Sequence, residues 1–406
     1  YKYKLNPNKG AVMTVIENRS IAQSALDATR ALLPQLRDRA AQAVLDRRLP
    51  QQNIQDLIEA GSFKTIQPKR VGGYGLGMRD HLDMISMIAR GCGSTAWVAG
   101  VVHAHSWLLS HFDAKAQDEI YGANPNAIVS AVIGPRGTAN KVSGGYLLSG
   151  TWPFASGCER SNWLLLGGVV LNNGEIVDEG DFALQTSEAK IADDWRVVGL
   201  GATGSCTVTV EDLFIPEHRF LSLPALIQGS SPGMNLHDGW SAKCAPVPVL
   251  ALALTGAAVG LARQALEDFP ALIKGKTIAY TADSKFDHPA THIELAEAVI
   301  KIDEGEMLLY RTADGIDEAA QNGTEIPFLT RARMRLDCAE GVRRLLEGVE
   351  ILFELSGASG IRTSSPLTRA VADLRVINQH GLLDIRTNRE MYGRVHLGLE
   401  PNTPLI

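Results

Sequence analysis

The chain has 406 residues, 45% of them hydrophobic, and a formal net charge of -6. Single hydrophobic cores rarely grow beyond about 250–300 residues, so this length predicts two or three domains. Charged residues are spread without long blocks of one sign. The sequence therefore offers no basic surface for a nucleic-acid backbone, and we expect no nucleic-acid partner.

The five cysteines are odd in number and contain no C-x-x-C pair, so we expect buried free thiols and a reducing cytoplasm. Residues 1–12 precede Met13 without the apolar core of a signal peptide, and we interpret them as a vector-derived tail. Residues 245–262 are uncharged and of membrane-span length. Their Pro, Gly and Ala content predicts a packed interior helix instead, with no membrane partner.

In chain order, apolar residues first recur at helical spacing over residues 21–46, where Pro34 is expected to split the helix. Further helices are predicted at 51–60, 80–89, 94–112 and 113–121, the first of these closed by Gly61. Residues 13–125 are thus predicted to form an N-terminal helical domain.

The pattern then changes to short apolar runs between Gly, Asn and Asp turns. Strands are predicted at 127–133, 141–149, 163–170, 181–185, 206–214 and 219–221, which gives an antiparallel β domain over 126–232. Long helices at 241–272, 290–321, 326–357 and 366–396 predict a C-terminal four-helix bundle over 233–406. The predicted fold class is α+β.

Three short motifs match known signatures but lack the required context. Residues 199–204 read GxGxxG, yet a strand follows in place of the helix that holds a pyrophosphate. Residues 229–233 read GxSxG, but Pro232 lacks the N–H group that an oxyanion hole needs at that position. His103 and His105 would point about 200° apart on a helix, so no metal site is predicted.

Five longer segments, taken with this order of domains, resemble one known family. They are GGYGLG at 72–77, GSTAWVAGVVHAHSW at 93–107, LSGTWPFASGCERSNW at 148–163, DDWRVVGLGATGSCTVTVEDLFIPEHR at 193–219 and SSPLTRAVADLRVINQH at 364–380. The chain is similar over residues 20–398 to the acyl-CoA dehydrogenase superfamily, which has the same three-domain order. It most resembles the reduced-flavin monooxygenase branch, which includes the oxygenase of p-hydroxyphenylacetate hydroxylase and indole and phenol monooxygenases.

The two places where dehydrogenases of this superfamily carry a catalytic base favour the monooxygenase branch. A dehydrogenase needs a carboxylate to remove the α-proton of an acyl-CoA. The first place reads INQHGLLD here, with His380 near the expected position, and the second, residues 240–263, contains no Asp or Glu.

The resemblance implies an oxidoreductase, namely the oxygenase component of a two-component flavin monooxygenase. Reduced FAD or FMN, with FAD slightly preferred, would come from a separate NAD(P)H-dependent flavin reductase. Oxygen would add to give a C4a-hydroperoxyflavin that hydroxylates a small aromatic substrate of the indole or phenol type. The resemblance also implies a homotetramer.

The resemblance further places Ser156 beside the flavin N5 atom, where a hydroxyl in a dry pocket would prolong the hydroperoxide. The resemblance implies three more cofactor contacts in the same segment: Trp152, Phe154 and Ala155. In the predicted last helix it implies contacts of Arg369 and Arg375 with the flavin phosphate of a neighbouring subunit. The alternatives are a turn serine at 156, core packing for the two rings and surface salt bridges for the two arginines.

His105 and His380 are the implied catalytic histidines at the substrate. A neutral imidazole can accept, or hydrogen-bond to, the phenol O–H or indole N–H proton and so push electron density into the ring. Packing histidines are the alternative. The residue that aligns with a substrate-contacting serine of the family is either Ser130 or Ala131. Because an alanine offers no hydroxyl to the substrate, this ambiguity favours a ring less polar than hydroxyphenylacetate.

Three other functions stay open at this point. One is an acyl-CoA dehydrogenase or another flavin oxidase. Another is a member of the same branch that oxygenates nitrogen or sulfur. The last is a catalytically silent binding protein on the same fold.

Overall fold

The computed structural model describes residues 7–237 and 239–406. Of the predicted tail at residues 1–12, residues 1–6 lie outside the described residues, and residues 7–12 open the first helix. The N-terminal helices are α1 (Pro7–Ala31), α2 (Leu33–Asp46), α3 (Gln51–Glu59), α4 (Met78–Ala89), α5 (Gly93–Leu109) and α6 (Ala114–Tyr121).

Two local predictions in this region are confirmed. The long amphipathic helix is interrupted at Leu32, with Pro34 in the first turn of α2, where proline loses no helical hydrogen bond. Gly61 follows α3 with a φ of 74°, the left-handed conformation that glycine adopts without a steric penalty.

Helix α5 is the central element for the site described below. All 17 of its residues are buried, which agrees with its apolar composition on every face. It packs against α4 and, beyond the N-terminal helices, against the first strand and the bundle. Side chains of α5 therefore reach both the sheet and the bundle.

Within the described residues, the sheet has seven strands in the order β5-β6-β2-β1-β3-β4-β7. They are β1 (Val129–Val142), β2 (Gly145–Ala155), β3 (Trp163–Asn172), β4 (Glu175–Gln185), β5 (Lys190–Ile191), β6 (Cys206–Pro216) and β7 (Phe220–Ser222). Neighbours are antiparallel, as predicted, except for β1 and β3, which pair in parallel.

Two of the predicted strand boundaries are wrong. The run at 141–149 spans the end of β1, the turn at Ser143 and Gly144, and the start of β2. The strand predicted at 181–185 begins at Glu175. Its first half carries two adjacent exposed apolar residues, Ile176 and Val177, among charged ones and so shows no apolar alternation.

The remaining helices are α7 (Leu223–Ile227), α8 (Pro246–Ala253), α9 (Gly256–Ile273), α10 (Pro289–Asn322), α11 (Phe328–Ser356), α12 (Pro366–Ile377) and α13 (Ile385–His396). The helices predicted at 241–272 and 366–396 are therefore each broken in two. Residues 246–273 pass a length and composition test for a membrane span, but 78% of the tested window is buried in the protein, as an interior helix requires.

The last strand ends at Ser222 and α8 begins at Pro246, so the fold has a helical N-terminus, a central sheet and C-terminal helices. We retain the divisions after residues 125 and 232 as a proposal for the domain boundaries. All five cysteines are free and buried, as predicted.

Asp317 of α10 joins the bundle to the N-terminal helices. Its carboxylate oxygens accept the backbone N–H groups of Met78 at 2.8 Å and Arg79 at 3.0 Å, at the start of α4. Gly77 lies so close to this carboxylate that a Cβ atom would overlap it. The GGYGLG segment thus serves helix capping at a close contact between elements.

Candidate active site

Ser156 lies directly after β2, where Gly157 turns the chain with a φ of 73°. Its Oγ accepts the indole N–H of Trp97, from α5, at 3.0 Å and lies 2.8 Å from the Oγ of Ser205. The Ser130 hydroxyl of β1 donates to the Ser156 carbonyl oxygen at 2.8 Å. Ser156 is therefore held by groups from three separate elements.

His105 lies two turns after Trp97 on α5, about 12 Å further along the helix axis. Its Nδ1 is 2.8 Å from the carbonyl oxygen of Val129 in β1. A carbonyl can only accept, so Nδ1 carries the proton and Nε2 of the neutral ring carries a lone pair. Burial lowers the pKa of His105 to about 4, so the ring is neutral at physiological pH.

His380 lies in the break between α12 and α13, and its ring centroid is 5.8 Å from that of Trp97. Its Nδ1 accepts the Leu382 backbone N–H at 3.3 Å, so the neutral ring carries its proton on Nε2. Burial lowers the pKa of His380 to about 4. The two histidines thus have opposite tautomers: His105 offers an acceptor and His380 offers a donor.

Strand alternation settles which way residues 130 and 131 point. Val129 and Ala131 belong with the helical core, whereas the Ser130 hydroxyl turns to the opposite side and bonds to Ser156. The face of β1 that packs on the helical core is therefore lined by Ala131 and not by Ser130.

The flavin segment has one exposed ring and one buried ring. Phe154 is 64% exposed, has a φ of 69° and meets Trp195 edge to face at 6.1 Å. Trp152 is 0% exposed and donates its indole N–H to the Gly167 carbonyl at 2.7 Å. The burial of Trp152 favours the core-packing alternative for that ring. Ala155 is also fully buried.

The two candidate arginines have different surroundings. Arg375 forms a salt bridge with Glu350 at 2.9 Å, which favours the surface salt-bridge interpretation. Arg369 donates to the carbonyl oxygens of Thr363 and Ser364 at 3.3 and 3.2 Å. It also lines a groove of about 190 Å³ between α2, the start of α5, α9 and α12.

The GxGxxG and GxSxG motifs lie in the contexts that the sequence predicts. Residues 201–203 form a short 3-10 turn that leads into β6, with no helix after the glycines. Ser231 contacts Nδ1 of His111 at 3.0 Å, but it lies in a turn and not between a strand and a helix. Nε2 of His103 meets the Ser62 carbonyl, on the other side from the His105 contact. In the described part of the chain, no group of three possible metal ligands is found.

Two family models match the chain. Residues 18–122 match the acyl-CoA dehydrogenase N-terminal domain, and residues 252–385 match the acyl-CoA dehydrogenase C-terminal domain. The chain is 34% identical over 399 residues to the flavin-dependent monooxygenase oxygenase subunit HsaA of Mycobacterium tuberculosis, covering 97% of this chain and 100% of HsaA.

The chain belongs to the flavin-dependent monooxygenases of the acyl-CoA dehydrogenase family. The crystal structure of M. tuberculosis HsaA superposes with a TM-score of 0.90 at 33% identity, over 95% of this chain and 100% of HsaA. XiaF from Streptomyces sp., solved with FADH2 and glycerol, also gives 0.90, at 25% identity over 96% of this chain and 99% of XiaF. The FADH2-dependent resorcinol hydroxylase oxygenase component of Rhizobium sp. is 30% identical over 90% of this chain and 92% of its own length.

This monooxygenase is an oxidoreductase that uses reduced flavin and oxygen, and the residues of its site fit that cofactor. Ser156 places a hydroxyl at the edge of the site, and Phe154 beside it exposes an aromatic ring. Arg369 in the groove can neutralise a phosphate. Polar, aromatic and cationic contacts are those that a flavin nucleotide needs.

Sequence reasoning misses four residues around the candidate site. Trp97, Thr203 and Ser205 connect to Ser156, and Asp373 of α12 accepts the Leu200 N–H at 2.5 Å. All four lie in segments that resemble the family. No local pattern, however, indicates that Trp97 and Ser205, so distant in sequence, meet at the Ser156 hydroxyl.

Proposed function

We propose that the protein hydroxylates a small aromatic ring of the phenol or indole type with reduced flavin from a separate NAD(P)H-dependent reductase. The names of the HsaA and resorcinol hydroxylase relatives support an oxygenase component and, for the latter, a phenolic substrate. The observation that carries the proposal is the tautomer of His105, which leaves a buried lone pair on Nε2. Such an atom is suited to a phenol O–H or an indole N–H group.

When bound, reduced flavin and oxygen supply the oxygen atom that is transferred to the ring. His105 accepts a hydrogen bond from the substrate and so raises the electron density of the ring. His380 donates from Nε2 to an acceptor within the site. Ala131 presents an apolar wall, which supports a ring without a charged group at that position.

Ser156 holds the flavin edge in this proposal, Phe154 packs on the flavin, and Arg369 meets its phosphate. The preferred flavin is FAD, in keeping with the FADH2 named for XiaF and for the resorcinol hydroxylase. We also propose a homotetramer, in which the groove beside Arg369 faces a neighbouring subunit. Arg375 pairs with Glu350 in this chain, and its contact with the flavin phosphate of a neighbouring subunit stays a prediction.

The test mixes the protein anaerobically with reduced FAD or reduced FMN and then adds oxygen with one of four compounds. Resorcinol and indole represent the proposed substrates, and an alkyl sulfide and an alkyl amine represent sulfur and nitrogen oxygenation. We expect hydroxylated ring products and peroxide below the amount formed without protein. Oxygenation of only the sulfide or the amine would contradict the proposed substrate class and leave the flavin chemistry intact.

A further inference from the structure

Three hydroxyl groups connect Ser156 to a backbone carbonyl, and we call Ser156, Ser205 and Thr203 the hydroxyl chain. Ser156 Oγ lies 2.8 Å from Ser205 Oγ, which lies 2.7 Å from Thr203 Oγ1. Thr203 Oγ1 lies 2.9 Å from the Leu200 carbonyl oxygen. That carbonyl also accepts the Trp195 indole N–H at 3.1 Å. All three hydroxyl residues are buried.

Counting protons fixes the direction of the hydroxyl chain. A hydroxyl has one proton to donate, and a carbonyl oxygen has none. Thr203 must therefore donate to Leu200, Ser205 to Thr203, and Ser156 to Ser205. The Trp97 indole has only a donor, so Ser156 accepts from it at 3.0 Å. Ser156 is left with one free lone pair and no proton for a ligand.

The opposite direction of proton donation along the hydroxyl chain is less favourable by one hydrogen bond. It would free the Ser156 proton for a ligand, but the Thr203 oxygen would then face the Leu200 carbonyl at 2.9 Å with no proton between them. A net hydrogen bond changes an equilibrium by about fivefold. The protein alone therefore holds Ser156 as an acceptor.

The two redox states of a flavin differ in the hydrogen bond that the N5 atom can make. Reduced flavin carries an N5–H donor, whereas N5 of oxidised flavin has only a lone pair. We propose that Ser205 and Thr203 are positioning residues that keep Ser156 an acceptor and so make the site select reduced over oxidised flavin. This inference rests on the proposed placement of Ser156 at flavin N5. It assigns a role to two residues that would not touch the flavin.

The experiment measures dissociation constants of reduced and oxidised FAD for each variant, the reduced form under anaerobic conditions. Ser205→Ala removes the acceptor of the Ser156 proton, so Ser156 can turn and donate to oxidised N5. Oxidised FAD should then bind about fivefold more tightly, whereas reduced FAD should change by less than about twofold. Thr203→Val, of nearly equal volume, breaks the hydroxyl chain at another point and should act in the same direction.

Two controls separate this role from a purely structural one. Thr203→Ser keeps the hydroxyl and should keep the wild-type ratio of the two constants. Ser161→Ala removes a hydroxyl that donates to the Cys158 carbonyl at 2.8 Å elsewhere in the β domain, and it should also keep that ratio. In a Ser156→Ala background, adding Ser205→Ala should leave the ratio unchanged, because the atom being oriented is gone.

The outcomes distinguish failure of the inference from failure of the proposed site. If Ser156→Ala changes the ratio but Ser205→Ala and Thr203→Val do not, the hydroxyl chain has no selective role and Ser156 stays at N5. If Ser156→Ala binds both forms as the wild type does, Ser156 is not at N5. The proposed place of Ser156 at the flavin and the selective role of the hydroxyl chain then both fall. Tighter binding of oxidised FAD in Ser205→Ala that disappears in the Ser156→Ala background supports the inference.

Discussion

Substitution of His105 by Asn tests the roles of its two ring nitrogens separately. The Asn amide nitrogen is as many bonds from Cα as Nδ1 of His, so it can still donate to the Val129 carbonyl, as Nδ1 does at 2.8 Å. No atom of Asn replaces Nε2 with its lone pair. The variant therefore keeps the contact between α5 and β1 and removes only the proposed acceptor of the substrate proton.

The expected loss follows from leaving the substrate O–H group without a partner in a buried site. An unsatisfied buried donor costs about 1–3 kcal/mol, or roughly five- to 150-fold in rate. Burial also lowers the pKa of His105 to about 4, so taking up a full proton costs about 3 kcal/mol more than at an exposed histidine. His105 is therefore expected to act by accepting a hydrogen bond.

The assay follows hydroxylated product per reduced flavin in single turnovers of wild type and His105→Asn, with a phenol that the wild type hydroxylates. We expect a rate of hydroxylation that is roughly five- to 150-fold lower in the variant and an unchanged affinity for reduced flavin. The exposed histidine His292, whose Nε2 meets the Phe286 carbonyl at 2.9 Å, provides the control variant His292→Asn.

The pH dependence gives a second measure of the same reasoning. With a pKa of about 4, His105 stays neutral at pH 5.5, whereas a histidine with the ordinary pKa of about 6.5 would be roughly 90% protonated there. Hydroxylation by the wild type should thus differ little between pH 7.5 and 5.5. A tenfold fall over that interval, or an Asn variant as fast as the wild type, would refute the role assigned to His105.

Three further changes have expected outcomes. Phe154→Gly should be more stable than Phe154→Ala by about 1 kcal/mol in urea unfolding, because both lose the ring contact with Trp195 but only Gly relieves the φ of 69°; both should weaken flavin binding. His380→Asn can still cap the Leu382 N–H, so stability should change by less than about 0.5 kcal/mol, whereas hydroxylation should fall about tenfold through loss of the Nε2 donor. Burial raises the pKa of Asp181 to about 8, and its Oδ1 has no hydrogen-bond partner. A raised carboxyl pKa gives stability that is present at acid pH and lost as the pH rises towards 8, so Asp181→Asn should stabilise the protein by up to about 4 kcal/mol at pH 7 and by nothing near pH 4.

Local sequence signals predict the helices well but the sheet only in part. Pro34 and Gly61 act through the backbone conformations of single residues, so their effects can be predicted without knowing the fold. The parallel pairing of β1 with β3 depends on contacts between distant strands. The break at His380 also escapes prediction, because residues 378–384 contain no proline.

In the candidate site, too, some residues can be named from the sequence, whereas their hydrogen-bonding roles cannot be predicted. Ser156, His105 and His380 can be named from family resemblance, but their protonation patterns depend on the partners Ser205, Val129 and Leu382. Trp152 looks like an equally good flavin contact in the sequence, because alternation along β2 does not show which face the sheet buries. Such roles follow only from three-dimensional contacts.

The same contacts argue against dehydrogenase chemistry at this site. Within the described residues, no carboxylate oxygen hydrogen-bonds to Ser156 or to either of the rings beside it, Trp97 and His380. Residues 240–263 supply no Asp or Glu, and the buried carboxylate of Asp373 accepts the backbone N–H of Leu200. His380 cannot replace the missing base, because its Nδ1 lone pair accepts the Leu382 N–H and its other nitrogen carries the proton. Removal of an acyl-CoA α-proton needs a base that takes up a full proton, and the lowered pKa of His105 disfavours that step at its free Nε2. Oxygen transfer to a ring needs a hydrogen-bond acceptor such as His105 and a donor such as His380, which the proposed site combines.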